Sequence, residues 1–144
     1  EAFDWVAECG RAFEEGEGAT YVLRPRDGDR AGEFAGIAGV DVDWDHRTAT
    51  FGTWLRKSFW GQGYSGERAA RMLELVFDRL DLAVVAVSHD PENENSRRAI
   101  ERYVERFGGR KAGRIRNDIL VDGEPRDSIR YSISKDEWEA NRRA

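Results

Sequence analysis

The sequence predicts a mixed α/β domain, and three observations support this prediction. Some stretches alternate apolar and polar residues with a period of two, which is typical of half-buried strands. Others repeat apolar residues every three or four positions, which is typical of amphipathic helices. The chain has 144 residues, of which 40% are hydrophobic, and a chain of this size forms one core. We therefore expect residues 1–144 to form a single domain.

The first predicted elements are a helix and a strand. Apolar residues recur at helical spacing over residues 3–15, and glycines at 16 and 18 end this pattern. Tyr21–Arg24 contains strand-forming residues and precedes a turn at residues 27–29. The chain therefore enters its sheet after one helix.

A β-hairpin follows this strand. Phe34–Trp44 ends in alternating apolar and acidic residues, and Thr48–Leu55 forms the second strand. Asp45-His46-Arg47 lies between them as the turn. Two strands joined by so short a connection are antiparallel.

A glycine-rich loop follows the hairpin and leads into a helix. Its three glycines fall within six residues: Gly61, Gly63 and Gly66. Without side chains in the way, backbone N–H groups can converge on an anion at the helix N-terminus, and Arg56 and Lys57 add positive charge. The spacing also fits GxGxxG, but no dinucleotide-binding βαβ unit surrounds it. Glycines that serve only as turn residues are the structural alternative.

Two amphipathic helices are expected next, with a buried strand between them. Ser65 is the expected N-cap of the first helix. Its apolar residues are Ala69, Met72, Leu73, Val76, Phe77 and Leu80. Leu82–Val87 predicts a buried strand, which His89-Asp90-Pro91 ends. The second helix begins in Asn93–Ser96, and its apolar face consists of Ala99, Ile100, Tyr103, Val104 and Phe107.

This order of elements resembles the GNAT superfamily of acetyl-coenzyme A dependent N-acetyltransferases, and most of all its RimJ/RimL-type branch. The resemblance covers residues 20–138. It rests on Trp54-Leu55, on Gly61–Glu67, which matches a pattern close to GxGyatE, and on Asn93-x-x-Ser96. It implies a mixed, mostly antiparallel twisted sheet flanked by helices. Two late strands, over residues 114–117 and 127–133, and a segment at residues 135–138 are also family-like.

The resemblance implies transfer of acetyl from acetyl-CoA directly to a primary amine, for example a protein N-terminus. In the family the cofactor's diphosphate binds the loop, here Gly61, Gln62, Gly63, Tyr64, Ser65 and Gly66. Pantetheine would pair with the strand end at Trp54, Leu55 and Arg56, and an N–H near Leu55 would polarise the thioester carbonyl. Asn93 and Ser96 are the further expected cofactor contacts, with Asn95 as a competitor for the role of Asn93.

Two residues are candidates for the general acid, and three are candidates for the general base. Ser96 or Tyr103 would protonate the departing thiolate, although an N-cap serine and a core tyrosine are the structural alternatives. Thr50 occupies the position where relatives often carry a glutamate. Asp41 and Asp43, acting through water, and His89 are the remaining candidates, while a solvated face and a loop histidine are their plainer interpretations.

Several aromatic and basic residues near the loop have undecided roles. Phe59 and Trp60 would either cover the adenine or pack beneath the turn. Four arginines on the second helix are candidates for the 3′-phosphate of coenzyme A, although helical spacing favours a solvent-exposed face for most of them: Arg97, Arg98, Arg102 and Arg106.

The start of the chain departs from the family pattern. A strand and one or two helices normally precede the strand at Tyr21, whereas one helix fits here, so we expect this sequence to be a fragment. The absent region helps to form the acceptor groove in the family. A catalytically weak acetyl-CoA-binding module, acting as a sensor or interaction partner, and an unrelated anion-binding α/β domain are the rival hypotheses.

Composition limits the remaining possibilities. The net charge of −5 argues against sequence-independent nucleic-acid binding. The single Cys9 suits a reducing cytoplasm, and no apolar run is long enough to span a bilayer. We expect no metal site. The apolar late strands permit a homodimer. Only 3 of the 23 basic residues are lysines, which is typical of proteins from salt-loving archaea but also of GC-rich genomes.

Overall fold

The computed structural model describes residues 2–143. The helices are α1 (Ala2–Glu14), α2 (Tyr64–Leu73), α3 (Glu94–Arg106) and α4 (Lys135–Asn141). The strands are β1 (Gly18–Leu23), β2 (Gly36–Asp43), β3 (Thr48–Leu55), β4 (Val84–His89), β5 (Arg110–Val121) and β6 (Glu124–Ser134). A 3₁₀ turn (Lys57–Phe59) precedes α2, and a π-helical segment (Glu74–Arg79) continues it.

The six strands form one sheet in the order β1-β2-β3-β4-β6-β5. Only β3 and β4 pair in parallel, and the other neighbours are antiparallel. A parallel neighbour requires a crossover connection, and the chain makes it through α2. The structure thus confirms the predicted mixed, mostly antiparallel sheet.

One face of the sheet carries the main core. Alternate residues of the central strands point to this face, among them Val40, Phe51, Val85 and Tyr131. The helices α2, α3 and α4 cover it with apolar residues, including Leu73, Phe77, Val104, Phe107 and Trp138. Helix α1 packs against the other face of the sheet. Thr20 of β1 points away from the core, and its hydroxyl lies 3.5 Å from the sulfur of Cys9 on α1.

Three local expectations need correction. Ser65 is not the N-cap of α2, because Gly63 takes that position with φ +83° and Ser65 lies in the first turn. His89 is not a loop histidine, because it is the last residue of β4 and is 6% exposed. The late strands are longer than residues 114–117 and 127–133, because β5 and β6 pair along most of their length despite two register shifts.

Candidate functional site

The N-terminus of α2 has free backbone donors and open space in front of it. Its cap residue, Gly63, offers no side-chain hydrogen bond, and the first helical bond runs from Glu67 N to Gly63 O. The N–H groups of Tyr64, Ser65 and Gly66 therefore have no partner within the helix. A Cβ placed on any of the three loop glycines would meet nothing within 4 Å. Such an end attracts an anion.

A groove of about 840 Å³ runs from this helix end between α2 and α3. Five arginines line it: Arg71, Arg98, Arg102, Arg106 and Arg142. Glu67 and Glu74 are the acidic residues of its lining. The groove is therefore positively charged, although the whole chain carries a net charge of −5. Of the four arginines considered for the 3′-phosphate, Arg97 alone turns away, since it pairs with Glu94 and Glu101.

An opening between β3 and β4 lies next to the loop. Their pairing ends at Phe51 and Val87, whereas β3 continues to Leu55. Arg56 N–H donates to Ala35 O on the β2 side at 2.8 Å. Because successive N–H groups of a strand point to opposite sides, the N–H groups of Thr53 and Leu55 point to the opening. They are donors at the unpaired edge of the strand.

Aromatic residues shape the connection from this opening to the loop. Phe59 is fully buried beneath the turn, where the Arg30 guanidinium lies 3.6 Å from its ring centre. Trp60 lines the groove, and its indole N–H donates to Leu55 O at 2.8 Å. Gln62 Nε2 donates to Ser58 O. Phe59 therefore packs beneath the turn, and both Phe59 and Trp60 contribute to the groove wall.

Two asparagines at the start of α3 have different roles: one caps the helix and the other lines the groove. Asn93 Oδ1 accepts the Ser96 N–H at 3.0 Å, so Asn93 is the N-cap. Asn95 lines the groove, and Asn93 and Ser96 are absent from its lining. The cofactor role of Asn93 and the catalytic role of Ser96 stay predictions.

Tyr103 reaches the groove from the apolar face of α3. Its side chain is 3% exposed yet contributes to the groove lining. Burial raises the pKa of its phenol well above the ordinary value, and the positive charge of Arg68 opposes this shift. A phenol with a raised pKa keeps its proton at neutral pH, so Tyr103 lines the groove in its protonated form.

Thr50 and the two aspartates lie on the other face of the sheet. Thr50 is exposed and faces Asp41 across the β2–β3 register. Asp43 ends β2 next to the hairpin turn, where the His46 ring at 2.9 Å holds the pKa of its carboxyl below the usual range. Trp54 lies further along the same face, 52% exposed and 6.0 Å from the Phe34 ring.

Both ring nitrogens of His89 are already engaged. Nδ1 lies 2.8 Å from Asp90 O, and Nε2 lies 3.0 Å from the Tyr131 hydroxyl, which donates to Glu101. Neither nitrogen is available to an incoming amine. His89 therefore ties β4 to β6 and α3, and it does not present a free base.

Sequence reasoning missed five arginines that line the groove or a second cavity on α2: Arg24, Arg26, Arg68, Arg71 and Arg142. Arg71 and Arg142 join the groove from α2 and from the end of α4, and Arg68 of α2 lines the second cavity. Arg68 and Arg71 follow the loop directly, so their helical phase relative to Gly63 was the available signal. The sequence held no such signal for Arg142, because its position depends on how α4 docks against the rest of the fold.

The described part of the chain has neither a cluster of metal ligands nor a helix suited to a membrane. Among residues 2–143, no three side chains of His, Cys, Asp or Glu are grouped so as to hold a metal ion. None of the described helices combines the length and apolar character of a membrane span.

Comparisons with known proteins agree with this geometry. The model of a family described as "Acetyltransferase (GNAT) domain" matches residues 1–103. The chain is 30% identical over 112 residues to the "Putative ribosomal N-acetyltransferase YdaF" of Bacillus subtilis (strain 168). That match covers 77% of this chain and 59% of the relative, so the chain spans about three-fifths of that protein.

Solved structures with similar folds come from Vibrio cholerae. A "putative ribosomal-protein-serine acetyltransferase" superimposes with a TM-score of 0.78 at 22% identity, covering 93% of this chain and 74% of the other. A spermidine N-acetyltransferase in complex with CoA and spermine gives 0.77 at 19% identity, covering 96% and 79%. At these identities the likeness shows the fold.

Proposed function

Because the chain belongs to the GNAT acetyltransferase family, we propose that it transfers an acetyl group from acetyl-CoA to a primary amine. One observation carries the proposal. The uncapped N-terminus of α2 lies at one end of an arginine-lined groove and beside the unpaired edge of β3. A cosubstrate with a diphosphate, a phosphorylated ribose and an amide-containing arm needs these three features.

The residues of the groove fit that cosubstrate. Diphosphate oxygens would accept hydrogen bonds from the N–H groups of Tyr64, Ser65 and Gly66, where the helix dipole adds positive potential. Arg98 and Arg102 line the groove as further phosphate partners. The N–H groups of Thr53 and Leu55 would donate hydrogen bonds to the amide-containing arm of the cosubstrate in the opening between β3 and β4.

The same residues supply what acetyl transfer requires. As the amine nitrogen attacks the thioester carbon, the Leu55 N–H would donate to the oxygen that becomes negative. The carbon–sulfur bond then breaks, and Tyr103 would pass its proton to the sulfur. The amine proton would pass to solvent water at the opening, since no carboxylate occupies position 50.

The acceptor in this proposal is the N-terminal amine of a protein. The names of the B. subtilis and V. cholerae relatives support a ribosomal-protein acceptor. The exposed aromatic pair Phe34 and Trp54 would pack against the residue that carries the amine. Cys9, the single cysteine, suits a cytoplasmic location.

A second candidate is a module that binds acetyl-CoA and turns it over poorly. The threonine at position 50 favours it, because a positioned base contributes about 10²–10⁴-fold to such reactions. Binding and turnover must therefore be measured separately.

Cofactor binding is tested by titrating acetyl-CoA calorimetrically into wild type and Gly63→Asp, in low and in molar salt. The new carboxylate would occupy the expected diphosphate position, and we expect binding to fall at least tenfold. Gly123→Asp is the matched control, because Gly123 has nearly the same φ (+81°), equally open surroundings and a place in the distant β5–β6 turn. Equal binding by all three proteins would refute the site.

Turnover is tested by mass spectrometry on peptides with free N-termini and on small amines. Acetylated peptides would support the proposal. Tight binding without any acetylated product would instead favour the weakly catalytic module.

A further inference from the structure

A second cavity, of about 680 Å³, lies on the other side of α2 from the groove. Its floor is apolar and includes Leu23, Ala38, Leu55 and Met72. Its basic residues are Arg24, Arg26, Arg68 and Arg71, against Asp27 and Glu67. A cavity of this size accommodates a small organic molecule, and its charge favours an anion.

Arg68 is the residue that makes this cavity unusual. Its Nε atom is buried and has no hydrogen-bond partner among residues 2–143. Leaving a buried donor unpaired is unfavourable, and more so for a charged group. Burial also lowers the pKa of the Arg68 guanidinium. Arg24 and Arg71 differ, since Arg24 donates to Gly32 O and Arg71 contacts Glu74.

We propose that this cavity binds an organic carboxylate, with the carboxylate on Arg68 and an apolar body on the floor formed by Leu23, Ala38 and Met72. A guanidinium presents parallel donors that match the two oxygens of a carboxylate. The apolar floor matches a short carbon chain better than it matches inorganic phosphate.

The carboxylate has two possible sources. It is either a free acid or the terminal carboxylate of an acyl group on coenzyme A. An acyl group on coenzyme A could reach the cavity because Leu55 lies between the two sites. Its N–H points to the β3–β4 opening, and its side chain forms part of the cavity.

Hexanoate is the probe for the free acid, and hexanamide is its neutral counterpart. In ¹H–¹⁵N NMR titrations, we expect hexanoate to bind at least tenfold more tightly than hexanamide and to shift the Arg68 Nε–H resonance. Arg68→Met keeps a similar length without the charge and should remove this advantage. Arg79→Met, on an exposed residue outside both cavities, should retain it.

Succinyl-CoA and acetyl-CoA distinguish the sources in calorimetric titrations. At least tenfold tighter binding of succinyl-CoA, lost in Arg68→Met, would place the carboxylate on the acyl chain. Equal binding of the two thioesters, together with hexanoate binding, would assign a free acid. Because acetyl-CoA binding is measured in the same series, failure of this inference is distinguishable from failure of the cofactor site.

The proposal is overturned if neither carboxylate shows an advantage that Arg68→Met removes. Circular dichroism and urea unfolding check that each variant folds. If Arg68→Met does not fold, Leu75→Trp replaces it by filling the cavity from α2's continuation. Hexanoate binding and succinyl-CoA preference that both persist in Leu75→Trp would equally overturn the proposal.

Discussion

Replacing Tyr131 by phenylalanine should weaken the fold and change how its stability depends on alkaline pH. The Tyr131 hydroxyl joins three elements, because it donates to Glu101 of α3 at 3.0 Å and lies 3.0 Å from His89 Nε2 of β4. The His89 and Tyr131 rings also stack, 5.5 Å apart. Tyr131→Phe keeps the ring and removes the hydroxyl. At neutral pH it leaves a buried histidine nitrogen and a carboxylate oxygen without this partner, which costs about 1–3 kcal/mol.

The pH dependence follows from the direction of the pKa shift. Burial, and then the hydrogen bond to Glu101, raise the pKa of Tyr131 to about 12 from its ordinary value near 10. Between these values the folded protein holds a proton that the unfolded chain has lost, so the free energy of unfolding falls as pH rises. This contribution is fully present below pH 10 and is lost as pH rises through 12. Two pKa units correspond to about 3 kcal/mol.

Urea unfolding between pH 7 and pH 11 measures both effects. The wild type should lose stability above pH 10, with a slope that Tyr131→Phe reduces by up to about 1.4 kcal/mol per pH unit. Tyr103, whose phenol pKa is also raised by burial, retains its own contribution in the variant. Tyr21→Phe, at a side chain that is 44% exposed, is the control for loss of one tyrosine. Identical slopes in wild type and Tyr131→Phe would refute the argument.

Three further substitutions test the capping, the packing and the chemistry. Ser134→Ala removes the capping box that Ser134 forms with Glu137 and should lower the free energy of unfolding by about 1 kcal/mol; no change in denaturation midpoint would contradict this. Phe59→Ala empties a fully buried site beneath the loop and should cost about 3–5 kcal/mol, whereas a loss within 1 kcal/mol would show that the site collapses. Tyr103→Phe should lower kcat by about 10²–10⁴-fold with little change in KM for acetyl-CoA; unchanged steady-state kcat would return the role of acid to Ser96.

The elements that sequence predicted well are those whose signal is local. The period of two in β2 and the helical spacing of α3 are written in consecutive residues, and the structure confirms both. The glycine-rich loop is local for the same reason, since three glycines and the helix after them lie within a few residues. Backbone N–H groups bind anions without particular side chains, so the short motif carries most of the information about that part of the site.

The corrections concern positions whose state depends on distant partners or on one dihedral angle. A serine two residues inside a helix and a serine at its cap look alike in sequence. Here Gly63, with its positive φ, is the N-cap, so α2 begins at Tyr64 and not after Ser65 as predicted. His89 followed an apolar run and preceded Asp90-Pro91, which indicated a loop, but pairing with Ile129 on β6 extends β4 and buries its side chain.

The arginines show most clearly why a site is harder to predict than a fold. Helical spacing placed Arg97, Arg98, Arg102 and Arg106 around α3, and only the docking of α3 against α2 decides which of them face the groove. The position of Arg68 was harder still to predict, because an arginine one turn into an amphipathic helix is ordinarily a solvated side chain. Its burial depends on a cavity between α2 and β1–β3 that no local pattern encodes. The proposed cofactor half of the site therefore follows from a contiguous motif. In the proposed function, selection of the acyl group and of the acceptor depends on side chains gathered from separate elements, so it has no contiguous motif.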